Sequence, residues 1–432
     1  MFEQVIKRIG EVFAELPDYR KASNRTTYQI KDAVLSAFAV FFMQSPSFLA
    51  HQRDMQRSKG RSNAQSLFGV HQVPSDNQIR NLLDPLAPQQ LGECFWWVYE
   101  ELQARQVLTK YQSIDGTLLC ALDGVTYFSS QALHCDQCTQ QVHGESVSYR
   151  HSVIAPVLVA PTQAEVISLE PEFLRPQDGA DKQDSEQAAI KRWLVRNATH
   201  FAPHTLTILT DDLHCHQPFC ALCTELHLNF ILVCLPESHQ TLYQEIALLD
   251  KIAGVEQLVQ SVWNGRSREQ WRYRYVNALP IRAGDDACRV NWCELTILDQ
   301  QSGELLYRNA FATNFHLSPQ RVPLVVRAGR ARWKTENENH NTLKNQGYHL
   351  DHNFGHGQQF LASFLLTLNL LAFLLHTVLQ LTDPLYQQIR AELGSRTTFF
   401  ADLRTLTRYL LFPDWHALLA FMAAQLELPL PP

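Results

Sequence analysis

The order of strand-like and helical runs between residues 118 and 234 constrains the fold more than any other feature of this sequence. Apolar, β-branched stretches alternate there with segments of helical periodicity. The predicted order is three strands, a helix, a strand, a helix and a strand, at 118–129, 146–160, 165–174, 184–194, 205–210, 218–226 and 228–234. This order predicts an α/β core in which helices are layered on a sheet.

Helical segments flank this core, and a β-rich stretch interrupts it. Alternating residues between 271 and 312 and turn signals such as Ser302-Gly303 predict β-hairpins. After Pro323 the pattern is helical to the end of the chain. We therefore predict a helical N-terminal domain, the first part of the core, a β-rich insertion, the end of the core and a helical C-terminal region, at 1–110, 111–240, 241–325, 326–382 and 383–432.

The apolar run 360–381 is long enough to cross a membrane. It carries Ser363, Asn369 and His376, however, and no positive flank favours insertion, so we expect a buried core helix. A hydrophobic content of 45% with 19% charged residues is typical of a globular protein and excludes a disordered or fibrous chain. Residues 1–17 have the pattern of an amphipathic helix rather than a secretory signal, which predicts reduced cysteines in a cytoplasm.

Two aspartates, Asp123 and Asp211, each follow an apolar strand-like run. A carboxylate in a buried strand is costly unless it is paired or binds a cation. Carboxylates that meet at the ends of neighbouring strands offer the hard oxygen ligands that favour Mg²⁺ or Mn²⁺. An ordinary turn at Asp123 and a helix cap at Asp211 fit the pattern equally well. Asp115 and Asp212 are the alternative positions, and we prefer Asp123 because a full apolar strand precedes it.

A third candidate segment lies between residues 330 and 344. It places Arg332, Glu336, His340 and Lys344 at intervals of four, which predicts that they share one face of a helix. A carboxylate flanked by two cations suits a site that holds a metal and a phosphate together. An exposed, ion-paired helix is the alternative. Glu338 lacks the four-residue spacing from Arg332 and is the weaker candidate.

Taken together, these motifs resemble those of the DDE insertion-sequence transposases, in the cut-and-paste branch that carries a β-rich insertion. Residues 121–125 are similar to the first-aspartate strand, 209–213 to the second-aspartate segment and 332–336 to the glutamate helix. In the family, that helix carries tyrosine, arginine, glutamate and lysine with two, three and six residues between them. Arg332 and Glu336 match this pattern, whereas Gly329 stands at the tyrosine position and Lys344 follows Glu336 after seven residues.

The resemblance implies an α/β fold with a ribonuclease H-like mixed sheet flanked by helices, and metal-dependent DNA cleavage and strand transfer. Asp123, Asp211 and Glu336 would hold two Mg²⁺ or Mn²⁺ ions. Phosphate contacts would come from four cations, Arg332, Lys344, Lys334 and Arg330. A catalytically impaired, transposase-derived DNA-binding protein is the alternative, and a zinc-dependent hydrolase is a third hypothesis.

The net charge of −6 argues against a nucleic-acid partner, but its distribution along the chain does not. Residues 18–61 carry eight basic and three acidic side chains, which fits equally well a solvated helix face or a DNA-binding N-terminal domain that uses Arg20, Lys21 and Arg25. The resemblance implies double-stranded DNA partners, at transposon ends and target, and a homodimer on DNA. It also implies a bacterial cytoplasmic location without a membrane partner.

Cysteines and histidines suggest a further metal. Cys135 and Cys138 form a Cys-x-x-Cys unit that His143 and His151 follow, and these four predict a structural Zn²⁺ site. Free thiols in a β-hairpin extension are the alternative. A second group, containing His214, Cys215, His216, Cys220 and Cys223, lies beside Asp211, and we expect it to pack the helix that follows.

Overall fold

The computed structural model describes residues 2–21, 28–55, 58–144, 146–176 and 184–429, with side chains outside 2–3, 52–62 and 143. Within these ranges the chain is a mixed α/β protein, as the sequence predicts. Its strands form two sheets, and helices cover the faces of the larger one.

The larger sheet contains nine of the described strands in the order β10-β11-β12-β13-β9-β8-β1-β5-β6. Their bounds are β1 Leu118–Ala121, β5 Val157–Val159, β6 Ile167–Ser168, β8 Leu206–Thr210, β9 Asn229–Val233, β10 Glu256–Trp263, β11 Arg268–Pro280, β12 Arg289–Asp299 and β13 Leu305–Thr313. Strands β1, β8 and β9 are parallel neighbours, and Cys120 of β1 pairs with Ile208 of β8. The other pairings in this sheet are antiparallel.

The predicted β-rich insertion is an extension of this sheet rather than a separate layer. Strands β10 to β13 follow one another as antiparallel neighbours, and β13 joins the core where Phe311 pairs with Val233 of β9. Tyr273 and Trp292 are buried within it. The insertion is therefore held by backbone hydrogen bonds to the strand that follows the second-aspartate segment.

The smaller sheet contains β2 Gly124–Ser130, β3 Thr139–His143, β4 Ser146–Ile154 and β7 Glu172–Phe173. The sequence predicted one strand at 118–129 and one at 146–160, and this is wrong in both places. The first run divides at Asp123 and the second at 155–156, where Pro156 lacks the N–H that a continuing ladder requires. In each case the chain passes from one sheet to the other.

Helices from both ends of the chain pack on one another. The N-terminal helices are α1 Phe2–Ala14, α2 Ile30–Phe42, α3 Phe48–Met55, α4 Ser58–Phe68, α5 Asp76–Leu83 and α6 Gly92–Ala104. The C-terminal ones are α12 Leu361–Thr382, α13 Pro384–Leu393, α14 Arg396–Tyr409 and α15 Trp415–Gln425. The Phe42 ring lies 4.5 Å from that of His376 and 5.1 Å from that of Trp415, and Asn63 donates to the Thr407 carbonyl. The predicted boundaries at 110 and 383 thus separate segments that share a core.

Helix α12 is the helix whose length and apolar character would suit a membrane span, and 94% of its most apolar window is buried within the protein. Its polar side chains have protein partners: Asn369 donates to the Tyr348 carbonyl, and His376 Nδ1 lies 2.7 Å from the Tyr348 hydroxyl. This burial agrees with the predicted core helix.

The remaining helices lie between the strands in sequence or follow the insertion. They are α7 Glu186–Asn197, α8 Gln217–Glu225, α9 Gln240–Lys251, α10 Val322–Arg330 and α11 Asn341–Asn345. Between α10 and α11 the chain forms a 3-10 turn, Ala331–Trp333, and a π-helical segment, Thr335–His340.

Candidate active site

Strands β1 and β8 lead to Asp123 and Asp211 at the same edge of the larger sheet. Strands β1 and β8 are parallel and in register, and the Leu122 N–H continues the ladder by donating to the Leu209 carbonyl at 3.0 Å. Each aspartate follows this ladder by one or two residues. The apolar strands thus fix the two carboxylates at neighbouring strand ends, where open α/β sheets bind their ligands.

Glu336 reaches the same place from the π-helical segment. The Arg332 guanidinium lies 2.8 Å from a Glu336 carboxylate oxygen and 3.8 Å from an Asp123 oxygen. Two of the candidate carboxylates therefore contact one cation. The negative charges of Glu336 and Asp211 both act on Asp123, and the Arg332 charge acts on Asp211 as well; the three carboxylates do not all lie within 4.8 Å of one another.

The electrostatics differ between the two aspartates. Burial raises the pKa of Asp123 to about 6; Arg332 opposes that rise, and the neighbouring carboxylates add to it. A hydrogen bond from His214 Nδ1 at 3.0 Å lowers the pKa of Asp211. Crowded carboxylates with one arginine between them are an arrangement that a bound cation would stabilise.

Sequence reasoning missed a fourth carboxylate, Glu186. It is the first residue of α7, directly after the N-cap Ser185. Burial raises the pKa of Glu186, and the Asp211 charge contributes to the rise. A Cβ on Gly124 would lie 2.6 Å from a Glu186 oxygen, so glycine at this position makes room for the fourth carboxylate. We call Asp123, Asp211, Glu336 and Glu186, with Arg332, the carboxylate site.

The alternative acidic residues lie elsewhere. Asp115 precedes β1, at the opposite end of that strand, and pairs with Arg321 at 3.0 Å. Asp212 accepts from the Leu235 N–H at 2.7 Å and lies 3.2 Å from His239. The geometry therefore favours Asp123 over Asp115 and Asp211 over Asp212.

The prediction that residues 332, 336, 340 and 344 share one face of a helix requires correction. His340, at one of the four-residue intervals, is buried, and that burial lowers its pKa to about 4. The π-helical segment accounts for this, because a π turn holds one more residue than an α turn. In a regular α-helix Lys344 would lie about 80° around the axis from Glu336, and one extra residue reduces the angle to about 20°. Ideal helix geometry therefore favours a position of Lys344 near the Glu336 face, and the observed partner of Lys344 is Asp351 at 3.6 Å.

Gly329 occupies the position at which the resemblance expects tyrosine. A Cβ there would lie 2.7 Å from a ring carbon of Phe311 and 2.9 Å from Ile231. Helix α10 packs so closely on β13 and β9 that no larger side chain fits, and a tyrosine role at this position is excluded.

Two of the cations predicted to contact DNA have other partners. Lys334 is buried and donates to the Gln163 carbonyl, so the prediction that it contacts phosphate is wrong. The Arg330 guanidinium stacks over the rings of Trp271 and Tyr307, at 5.2 and 4.6 Å from their centroids, and holds α10 against the insertion. Arg332 is partly exposed at the carboxylate site, and Lys344 is partly exposed and pairs with Asp351.

The basic N-terminal segment is partly described. Arg20 makes two hydrogen bonds to the Asp18 carboxylate and one to the Tyr28 carbonyl, which largely neutralises it. Lys21 is exposed, and Arg25 lies outside the described residues.

A group of four metal-ligating side chains forms in the smaller sheet and the loop before α12. Cys135, Cys138, His151 and His356 have ligand atoms within 4.8 Å of one another, and we call them the cysteine–histidine cluster. Three of them were predicted, and His356 was not. A hydrogen bond from the Cys135 thiol lowers the pKa of Cys138 to about 7, which favours the thiolate that metals bind.

The backbone of His143 lies well away from the cluster. It pairs with Ser146 at the far end of the β3–β4 hairpin, five residues along β4 from His151. That separation is about 16 Å in an extended strand. The fourth ligand instead arrives from a segment more than 200 residues away in sequence, for which the local pattern gave no signal.

The second predicted group also rearranges. Cys220 and Cys223 are buried on α8 and pack against the core, as expected. Cys215 instead meets Cys234 and His239 in a buried group of three. The Cys234 thiol raises the pKa of Cys215 well above its ordinary value.

Comparison with protein-family models gives no match to this chain, and comparison with curated proteins gives none either. The geometry of the carboxylate site is therefore the basis for a functional assignment.

Proposed function

We propose that this chain is a DDE transposase that cleaves DNA and transfers strands by metal-dependent phosphoryl transfer. The observation that carries the proposal is the position of Arg332, which pairs with Asp123 and Glu336 and whose charge acts on Asp211, so that one cation links carboxylates from three separate elements. Their order along the chain and their placement on strand, strand and helix agree with the motifs from which the resemblance was drawn.

The arrangement of the larger sheet supports a ribonuclease H-like core. Strand β1, which leads to Asp123, lies in the middle, with antiparallel β5 on one side and parallel β8, which leads to Asp211, on the other. Glu336 comes from a later helical segment that follows the insertion. This topology places the first and second aspartates at the ends of neighbouring parallel strands.

The donor set suits two Mg²⁺ or Mn²⁺ ions. It consists of carboxylate oxygens, which these hard cations prefer, and the side chains of Asp211 and Glu336 are about half exposed. Two such ions, when bound, supply activation of the attacking oxygen and stabilisation of the leaving one. Asp123, Asp211 and Glu336 would hold them, with Glu186 as a further carboxylate against Asp123.

The cations beside the carboxylates would position DNA. Arg332 lies between Asp123 and Glu336 and presents donors to a phosphate bound between those carboxylates. Lys344, which is partly exposed and follows Glu336 by eight positions, would contact an adjacent phosphate. Arginine suits the first role because its planar fork can donate two hydrogen bonds to one phosphate.

The wider setting of this function is part of the proposal. The DNA would be double-stranded, at transposon ends and at the target, and the chain would act as a homodimer in a bacterial cytoplasm. The exposed Trp263 at the end of β10 is available to contact a DNA end, whereas Tyr273 is buried in the hairpins.

A second candidate function is a catalytically impaired, transposase-derived DNA-binding protein. The absence of space for a tyrosine at Gly329 and the burial of Lys334 favour it. The assembled carboxylates favour the enzyme. A zinc hydrolase is not supported, because four protein ligands leave no open position in the cysteine–histidine cluster.

The deciding experiment is a cleavage and strand-transfer assay on DNA from the ends of the encoding element, with Mg²⁺ or Mn²⁺. Asp123→Asn, Asp211→Asn and Glu336→Gln should each abolish cleavage and retain DNA binding. The matched controls are Asp115→Asn and Glu338→Gln, which change the same groups outside the carboxylate site and should retain activity. DNA binding without cleavage by the unmodified chain would favour the impaired protein, and normal cleavage by a site variant would refute that residue's role.

A further inference from the structure

We propose that Cys135, Cys138, His151 and His356 bind one structural Zn²⁺ ion that joins the smaller sheet to the helical core. This inference goes beyond the transposase proposal and does not depend on it. It is carried by the ligand geometry, by the closed surroundings of the cluster and by the anchoring of the loop that carries His356.

The distances between ligand atoms match those of a tetrahedral zinc site. With Zn–S of about 2.3 Å and Zn–N of about 2.05 Å, a tetrahedron separates two sulfurs by about 3.8 Å and a sulfur from a nitrogen by about 3.5 Å. The two cysteine sulfurs lie 3.9 Å apart, too far for a disulfide. His151 Nε2 lies 3.5 and 3.4 Å from those sulfurs, and His356 Nε2 lies 3.7 Å from the sulfur of Cys138.

The surroundings close the cluster. The Tyr127 and Phe128 rings lie 5.6 Å from that of His151, and the Phe128 ring lies 4.4 Å from that of His356. Tyr127 is buried next to both cysteines, and its hydroxyl has no hydrogen-bond partner among the described residues, so it is free to donate to a bound thiolate. Two thiolates, two imidazoles and an aromatic wall are typical of a structural site rather than a catalytic one.

The loop that presents His356 is held in place independently of any metal. The Asp84 carboxylate, at the end of α5, accepts from the N–H groups of Gln358, Gln359 and Leu361. Gly357 has φ of +71°, and a Cβ there would lie 2.3 Å from an Asp84 oxygen. Glycine at this position allows the backbone to close over Asp84, which fixes the neighbouring histidine.

The site would therefore connect three parts of the chain. The β2–β3–β4 hairpins supply three ligands, the loop before α12 supplies the fourth, and Asp84 ties that loop to the N-terminal helices. Because β2 starts immediately after Asp123, the ion would also restrain the sheet that leaves the carboxylate site.

The test is metal analysis of the purified full chain and its variants. Wild-type protein should contain at least about one equivalent of zinc, and His356→Asn should lose about one equivalent relative to it. Two matched controls should lose none: His352→Asn, an exposed histidine of the same loop, and His143→Asn, the ligand that sequence proximity would choose. Because the zinc content of each variant is compared with that of wild type, metal bound at other sites does not affect the difference.

Retention of wild-type zinc by His356→Asn, or an equal loss from His352→Asn, would overturn the proposal. A second measurement covers the case in which His356→Asn fails to fold. In a Cys234→Ser background, which removes a thiol of the other cysteine group, Co²⁺-substituted protein should show the absorption of tetrahedral cobalt–thiolate. Folded protein that lacks this absorption would contradict a metal site at these four residues. DNA cleavage is not part of either readout, so failure here is distinct from failure of the transposase proposal.

Discussion

Strand β2 runs between Asp123 of the carboxylate site and Cys135 of the cysteine–histidine cluster, yet the two sites are built in opposite ways. The first gathers hard oxygen ligands, two of them about half exposed, around an arginine. The second gathers soft sulfur and nitrogen ligands under aromatic rings. An open set of carboxylates can exchange ions and admit a phosphate, whereas a closed tetrahedral set holds one ion and stabilises structure. The difference implies that removing a ligand should affect activity in one region and stability in the other.

Glu336→Gln should give the largest effect. Loss of a metal-binding carboxylate is expected to lower DNA cleavage by about 10³-fold or more, since a bound metal contributes several kcal/mol to the transition state. Zinc content should stay at the wild-type value. The check is the cleavage rate with Mg²⁺ and metal analysis on the same preparation, and a loss of zinc in this variant would break the comparison.

Removal of zinc should give the next largest effect, on stability. Because the ion binds the folded chain, stripping it with a chelator should lower the free energy of unfolding by about 3 kcal/mol. Urea unfolding followed by circular dichroism, before chelation and after zinc is restored, measures this. Unchanged unfolding in a protein shown to have lost its zinc would mean that the cluster does not stabilise the fold.

Asp123→Asn should stabilise the metal-free protein near neutral pH. The pKa of Asp123 is raised in the folded state to about 6, from an ordinary 3.8, so ionisation costs more in the folded than in the unfolded chain. This free-energy cost of ionising Asp123 is absent below about pH 4 and complete above about pH 6. Above about pH 6 the free energy of unfolding of the variant should therefore exceed that of wild type by about 1–2 kcal/mol. The free energies of unfolding of wild type and of the variant, measured at pH 4 and pH 7.5 without divalent metal, test this expectation. Equal free energies for the two proteins at both pH values would show that burial of Asp123 does not destabilise the folded chain.

Glu186→Gln should give the smallest effect. This side chain borders Asp123 and Asp211 without being one of the three motif carboxylates, so cleavage should fall by about tenfold and require more Mg²⁺. Glu225→Gln, at the end of α8, is a suitable control for charge. A loss as large as that of Glu336→Gln would instead make Glu186 a principal ligand.

The sequence allowed the mixed α/β class and the convergence of the two aspartates to be predicted, because both depend on short apolar runs. It could not show that the run beginning at Leu118 changes sheet at Asp123, since both halves have the same strand propensity. The residues with which each half pairs decide that change. Leu122 donates to the Leu209 carbonyl in the larger sheet, whereas Gly124 pairs with Ile154 in the smaller one.

The errors at individual side chains have a common physical origin. Lys334 is buried and donates to the Gln163 carbonyl, and His151 lies beside His356. Each of these contacts joins residues that are more than 170 positions apart in the sequence. His143 was chosen because it is near in sequence, although two residues in one hairpin can lie many ångströms apart. Contacts of this kind depend on tertiary packing and leave no local pattern.

The π-helical segment has a consequence for how such chains are recognised. A residue inserted into a regular α-helix rotates everything after it by about 100° and would separate Lys344 from Glu336. A π turn absorbs the insertion and restores the later register, so a chain can gain a residue between two functional positions and keep both on one face. If the proposed roles of Glu336 and Lys344 hold, a search that demands a fixed number of residues between glutamate and lysine would pass over this protein, whereas one that tolerates a single insertion would retain it.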